Sequence, residues 1–267
     1  MKNKKIIYLF PILLFLILTN KVYILLGNEI KIINIKEDIE NKPSIKNEED
    51  IELKYLIGKF NYKNDPNFTL VDNKFCREQM KLRIYLRKEV YIKFKEMHAD
   101  ALKSGVNLLI YSGTRNFDEQ KSIWERKWEL NFNKLKDSVK TAKKILLFSS
   151  MPCTSRHHWG TDLDLINLNN NYFETGQGLK EYKWLKENGS KFGFCQVYDD
   201  KSITKRTGYE LEKWHWSYMP TSSKFLIQYI KKVNYNNINN FKGHHLASNK
   251  EINMIDNFVK GINSTCN

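Results

Sequence analysis

Glycine and proline are scarce in this chain, with 12 and 5 among 267 residues. That excludes a collagen-like repeat. Arginine is scarcer than the charge suggests. Of 44 basic residues 37 are Lys and 7 are Arg, against 30 acidic residues, for a net charge of +14. Readers of nucleic acid lean on Arg for bidentate contacts. The excess therefore reads as a Lys-rich solvated surface, or as affinity for anionic lipid or wall polymer. The 29 Asn beside the many Lys are the composition of an AT-rich coding sequence. No CxxC occurs among Cys76, Cys153, Cys195 and Cys266, so a thiolate zinc cluster is not indicated. Beyond the N-terminus there is no long apolar run, which excludes a polytopic membrane protein. Aromatic residues are present in number: 14 Tyr, 15 Phe and 6 Trp need burial and exclude wholesale disorder. The length suits one large domain, or one domain with appendages.

The first 27 residues have an export pattern. Lys2, Lys4 and Lys5 precede an uncharged run from Ile6 to Leu18. This is a basic n-region followed by an apolar h-region. No small-x-small cleavage site stands out, so the segment is either a signal peptide or an uncleaved anchor spanning Ile6 to Leu26. It holds four Lys and no acid, and +14 less 4 leaves +10 for the rest. Export places the chain in the cell envelope or periplasm, touching the inner membrane through this segment if it is uncleaved. Nucleic acid is not an expected partner. An oxidising compartment permits up to two disulfides among the four Cys.

Residues 28–74 read as a tether and lead-in, 75–233 as the catalytic domain and 234–267 as a C-terminal extension. Val90, Phe94, Met97 and Ala101 recur at helical spacing within Leu86–Lys103, and Gly105 stops that helix. Val106–Tyr111 reads as a buried strand. Phe117–Phe148 reads as one or two helices with Ile123, Trp124 and Trp128 on the apolar side. Thr161–Leu168, Phe192–Val197 and Trp214–Tyr218 read as strands. Leu179–Asn188, Ser222–Val233 and Lys250–Ile262 read as helices. The order argues α+β: a small antiparallel sheet carrying a metal site, flanked by helices.

Histidine is scarce, with six in all, and three fall in two aromatic-rich segments, Met151–Leu165 and Tyr209–Tyr218. Together these offer imidazoles and carboxylates on strand ends, a ligand set that suits a catalytic zinc with one open position. Asp162 and Asp164 share a strand face because side chains alternate. Gly160 lets the chain turn, so that His157 swings toward Asp164. Glu212 lies three residues before His215, the opposite face of a regular strand. For the two to work together a bulge or turn must intervene at Lys213. His98 reads as an exposed helical residue, and His244–His245 as a surface pair.

At these residues the chain resembles the zinc D-alanyl-D-alanine carboxypeptidases of the vancomycin-resistance type. The pattern S-x-H-x-x-G-x-x-x-D stands as Ser155, His157, Gly160 and Asp164, and E-x-x-H as Glu212 and His215. A third element, S-G-x-R-x-x-x-x-Q, stands as Ser112, Gly113, Arg115 and Gln120. The three come in the family's order over roughly residues 75–220. The resemblance implies that His157, Asp164 and His215 ligate one Zn2+. It implies Glu212 as general base on the zinc-bound water, Arg115 as the charge that meets either the oxyanion or the peptide carboxylate, and Ser155 and Gln120 as substrate-orienting groups. The implied reaction removes the terminal D-alanine of a peptidoglycan stem peptide, the partner. The alternatives are an endopeptidase cutting another stem or cross-bridge bond, and a non-catalytic wall-binding module.

Two positions depart from the family. Asp162 stands where a small residue is common, and either adds negative charge or supports a ligand. Cys153 stands where Gly is common, and either pairs with Cys195 or is a free thiol.

Overall fold

The structure is a computed structural model and describes residues 16–18, 21–26, 29–34, 50–81 and 83–266. It divides into two units, Met1–Asp50 and Ile51–Asn267. In the first, β1 (Leu16–Leu18), β2 (Lys21–Leu26) and β3 (Glu29–Asn34) pair antiparallel in that order. Residues 1–15 of the expected leader lie outside the described residues. No helix among the described residues is long and apolar enough to cross a membrane.

The second unit begins with α1 (Leu53–Leu56) and the antiparallel pair β4 (Phe68–Leu70) and β5 (Tyr85–Arg87). The expected domain boundary at 75 therefore moves to 51. Leu56, Tyr62, Phe68 and Val71 are buried in the core, which a tether would not be. The C-terminal segment is no extension either. Ile238, Phe241, Ile252, Met254 and Val259 join the core cluster of Trp124, Trp128 and Trp159.

Helix α2 (Lys88–Lys103) buries Val90, Phe94, Met97 and Ala101, the stripe read from spacing. His98 is buried with them, contrary to expectation, its Nε2 3.1 Å from Asn107 Oδ1. Strand β6 is confined to Ile110–Ser112. The expected helical stretch splits into α3 (Phe117–Leu135) and α4 (Ser138–Ile145). Lys136 is left-handed at φ 52°, and Asp137 caps α4 by accepting from Lys140 N. Asn116 and Glu119 form a reciprocal capping box that fixes the start of α3.

Then come β7 (Asp162–Leu165), α5 (Gly176–Asn188), β8 (Phe194–Cys195), α6 (Lys201–Thr204), β9 (His215–Tyr218) and α7 (Met219–Lys232). The last expected helix is a short π-helical segment, Met254–Val259. The main sheet runs β6-β7-β9-β8, antiparallel throughout. One face sends Leu163, Leu165, Trp216 and Tyr218 into a core with Phe94, Met97 and Leu185. The fold is α+β, a small antiparallel sheet flanked by helices. Cys195 pairs with Cys266, across 71 residues, so the expected Cys153–Cys195 alternative falls. Cys76 and Cys153 are free and buried. Cys153 holds φ 71°, the left-handed region that glycine adopts most easily.

Candidate metal centre

The centre is built by strand register. Asp164 on β7 stands directly opposite His215 on β9, and Asp162 opposite Ser217. With a side-chain period of two, these four share one face, away from the Leu163 and Trp216 core. His157 reaches the same point from a single 3-10 turn, Arg156–Trp159. Gly160 ends that turn at φ 71°, and a Cβ there would lie 2.3 Å from the Phe68 ring. The turn demanded between Glu212 and His215 is present at Lys213–Trp214, with His215 N bonded to Glu212 O at 3.3 Å. Trp214 therefore belongs to the turn and not to the strand. Asn170 braces this turn, donating to Leu211 O at 2.7 Å and accepting from Lys213 N at 3.0 Å.

One ligand atom from each of His157, Asp164 and His215 lies within 4.8 Å of the others, and all three residues are buried. His157 Nε2 is 3.4 Å from Asp164 Oδ2, and His215 Nδ1 is 3.1 Å from Asp164 Oδ1. The far nitrogens are committed elsewhere. His157 Nδ1 meets the Gly113 carbonyl at 2.7 Å, and a carbonyl only accepts, so the proton sits on Nδ1 and Nε2 keeps its lone pair. His215 Nε2 meets Asp162 Oδ1 at 3.0 Å, which by the same reasoning leaves Nδ1 for a cation. The neighbouring His158 turns the other way. It is buried against the Arg115 carbonyl at 2.7 Å, and burial pushes its pKa down to about 3.

Asp162 is fully buried and has three donors: Arg156 Nε at 3.0 Å, His215 Nε2 at 3.0 Å and Thr161 Oγ1 at 2.5 Å. Arg156 in turn packs 4.7 Å from the Trp159 ring centroid and donates to Ser217 Oγ at 2.7 Å. Of the two roles open to Asp162, the geometry matches support of a ligand. Sequence reasoning missed Arg156, although it lies inside the motif.

The electrostatics follow from burial. Burial opposes ionisation of Asp164, but His157 and His215 outweigh it and hold the carboxyl well below the usual range. Asp162 is lowered too, against burial, by Arg156 and His215. Burial also pulls His215 down, yet the two carboxylates prevail and push it up to about 9. In the metal-free chain these carboxylates thus press a proton onto His215. A divalent cation satisfies the same demand, and two imidazoles with a carboxylate are a zinc-like donor set with one position open. Glu212 stands beside the triad, its Oε2 3.6 Å from His215 Nδ1, and burial raises it to about 8.

Arg115 lies 3.6 Å from Asp164 Oδ2. It is aimed by Ser112, whose Oγ accepts from Nη1 at 2.5 Å, and by Gln120, whose Oε1 accepts from Nε at 3.0 Å. Gln120 spends its amide on the Ser150 carbonyl, so both its ends serve to hold Arg115. Ser155 is 1% exposed, outside the wall of the cleft, and its hydroxyl has no partner among the described residues. The triad, Glu212, Arg115 and Gln120 line a cleft of about 650 Å3. Its outer wall holds Ile123, Arg126, Lys127, Phe148 and Trp214. The sequence reading put Ile123 on the core side of α3; it is half-buried in the cleft wall.

A family model described as VanY, D-alanyl-D-alanine carboxypeptidase, matches residues 83–221, just over half of the chain. The Bacillus subtilis (strain 168) protein YodJ is 30% identical over 61% of this chain and 56% of its own length. A D-alanyl-D-alanine carboxypeptidase of Enterococcus faecium is 31% identical over 51% of this chain and 38% of its own. A solved structure of a D,D-pentapeptidase VanY from a VanB-type resistance cassette, a Glu-to-Ala mutant in complex with Zn(II), is 21% identical. It covers 67% of this chain and 93% of that one, with a TM-score of 0.46. The chain spans about half the length or less of these two curated relatives.

Proposed function

This chain belongs to the VanY family of D-alanyl-D-alanine carboxypeptidases, and from that premise we propose that it hydrolyses the terminal D-alanine bond of peptidoglycan stem peptides with one zinc ion. The observation that carries the reading is the buried His157–Asp164–His215 triad, opening on a cleft with Glu212 at its side. His157 Nε2, His215 Nδ1 and the Asp164 carboxylate would hold the ion. When bound, zinc polarises a carbonyl and lowers the pKa of a water to about 7.

The chain's own groups do the rest. Glu212 takes the proton of the attacking water and returns it to the leaving amine. Its carboxyl, raised by burial to about 8 in the metal-free chain, comes down when a positive charge stands beside it. Arg115, held still by Ser112 and Gln120, offers a fixed charge to the oxygen that becomes anionic, with no reorganisation during the step. The Gly113 carbonyl and Asp162 hold the two imidazoles in the tautomers a ligand needs.

Glu212→Ala tests the mechanism. Zinc uptake should persist while D-alanine release from a defined pentapeptide falls by about a thousand-fold or more. Normal turnover in that variant would overturn the assigned role. Mass spectrometry of pentapeptide and tetrapeptide muropeptides reads the bond cut: loss of one D-alanine supports the reading, and severed cross-bridges oppose it. We further propose that the chain works outside the cytoplasm, on the strength of the Lys-flanked apolar run Ile6–Leu18.

A further inference from the structure

The cleft carries charge that the reaction leaves unused. Gln120, Ile123 and Lys127 recur at i, i+3 and i+7 on α3 and line the cleft together. Gln120 is spent on Arg115. Lys127 is half-buried, and its ammonium donates to the Ser149 hydroxyl, leaving two of three donors with no partner among the described residues. Arg126 stands next to it in the same wall. Neither cation has a carboxylate within 4 Å among the described residues. The carboxylates that line the cleft are Asp164 and Glu212, and both stand at the metal centre.

Three cations, Arg115, Arg126 and Lys127, thus face one cleft whose own anions are committed. Burial lowers the pKa of Lys127; the Glu212 carboxylate pulls it back in part, and Arg115 and Arg126 add to the lowering. Apolar Ile123, Phe148 and Trp214 line the same cleft, with Ser149, Ser150 and Asn169–Asn171 among its polar groups. Apolar walls with a few convergent polar groups are what a ligand pocket presents. One desolvated ammonium beside a hydroxyl fits a carboxylate, which accepts charge-assisted hydrogen bonds from both.

We propose that Lys127, with Arg126 beside it, forms a subsite for a carboxylate of the peptide, distinct from the groups acting on the scissile bond. The subsite rests on the proposed peptidase reading and deepens it, since it names a carboxylate that the bound peptide must present. The carboxylate is either the free C-terminus or an acidic side chain upstream of it.

Calorimetry on the zinc-loaded full chain carrying Glu212→Ala tests this, since the peptide then survives. The probe is an acetylated peptide ending in D-alanyl-D-alanine with one side-chain carboxylate. Two companions have either the terminal or the side-chain carboxylate amidated. One companion is expected to bind roughly ten- to a hundred-fold more weakly than the parent peptide. Adding Lys127→Met should weaken the parent peptide by the same factor and leave that companion unchanged, whereas Lys127→Arg should keep the preference. Whichever companion behaves so identifies the carboxylate. Equal weakening of all three peptides by Lys127→Met, or of none, overturns the subsite. D-alanine release by the unmodified chain is measured in parallel. Its absence would count against the proposed reaction, while the binding cycle still decides the subsite.

Discussion

Asp162 shows how much one carboxylate can organise. It is fully buried, anchored by Arg156 and Thr161, and bonded to the nitrogen of His215 that points away from the triad. Asp162→Ala is expected to weaken zinc binding by about ten- to a hundred-fold, read by competition with a chelating dye. Asp162→Asn keeps an acceptor oxygen and should lose less. An unchanged affinity in Asp162→Ala would remove its supporting role. His215 supplies a pH prediction. Its pKa in the metal-free fold, about 9, lies above the ordinary 6.5. Its charged form therefore stabilises that fold fully below about pH 6.5, and the contribution is lost as pH rises through 9. Zinc needs the neutral ring, so the balance runs the other way for binding. Uptake at pH 7 should release about two protons, one from His215 and most of one from Glu212, and affinity should climb with pH up to about 9. Calorimetry in buffers of different ionisation enthalpy measures this; no proton release would show that His215 is already neutral and Glu212 already ionised.

At the scale of elements, the centre depends on three short pieces held in register. The β7–β9 pairing sets Asp164 against His215, and the turn at Gly160 delivers His157. The edge strand β8 is tied to the C-terminal segment by the Cys195–Cys266 disulfide. That segment packs Ile252, Met254 and Val259 into the core beside α3 and α7. Cys266→Ser is expected to cost about 2–5 kcal/mol of stability, because a loop of this length constrains the unfolded chain. The measurement is denaturant unfolding of the oxidised protein. Zinc affinity should hold, since no ligand lies on the tied segment. An equal loss of zinc binding would mean that the C-terminal segment shapes the centre as well as the core.

For the whole molecule, the second unit has its own core and contains the entire triad, so residues 51–267 should be sufficient for zinc binding. A chain beginning at Ile51 is expected to match the full chain in zinc affinity. Expressed in a bacterium, it should stay in the cytoplasmic fraction while the full chain reaches the envelope. Recovery of both in the cytoplasm would overturn the export proposal and leave the zinc result standing. Within the cleft, Arg115, Arg126 and Lys127 bring positive charge to the ligand.

Sequence alone determined what depends on residue type and short spacing. The stripe of Val90, Phe94, Met97 and Ala101 needs only the helical period, and the alternation of Asp162 and Asp164 only the pleat. The resemblance carried in Ser112–Gln120, Ser155–Asp164 and Glu212–His215 singled out His157, Asp164 and His215, whose ligand atoms the fold brings within 4.8 Å of one another. Tertiary structure decided whatever rests on what packs nearby. It buried His98 and pulled residues 51–74 and 234–267 into the core, since their apolar residues are too sparse along the chain to announce a partner. It paired Cys195 with Cys266, because a disulfide obeys distance in space, and four cysteines leave their pairing open in sequence. It also chose between the two roles open to Asp162. A carboxylate beside a ligand is added charge or a support according to its donors, and the fold brings Arg156 and His215 to it from opposite sides of the motif.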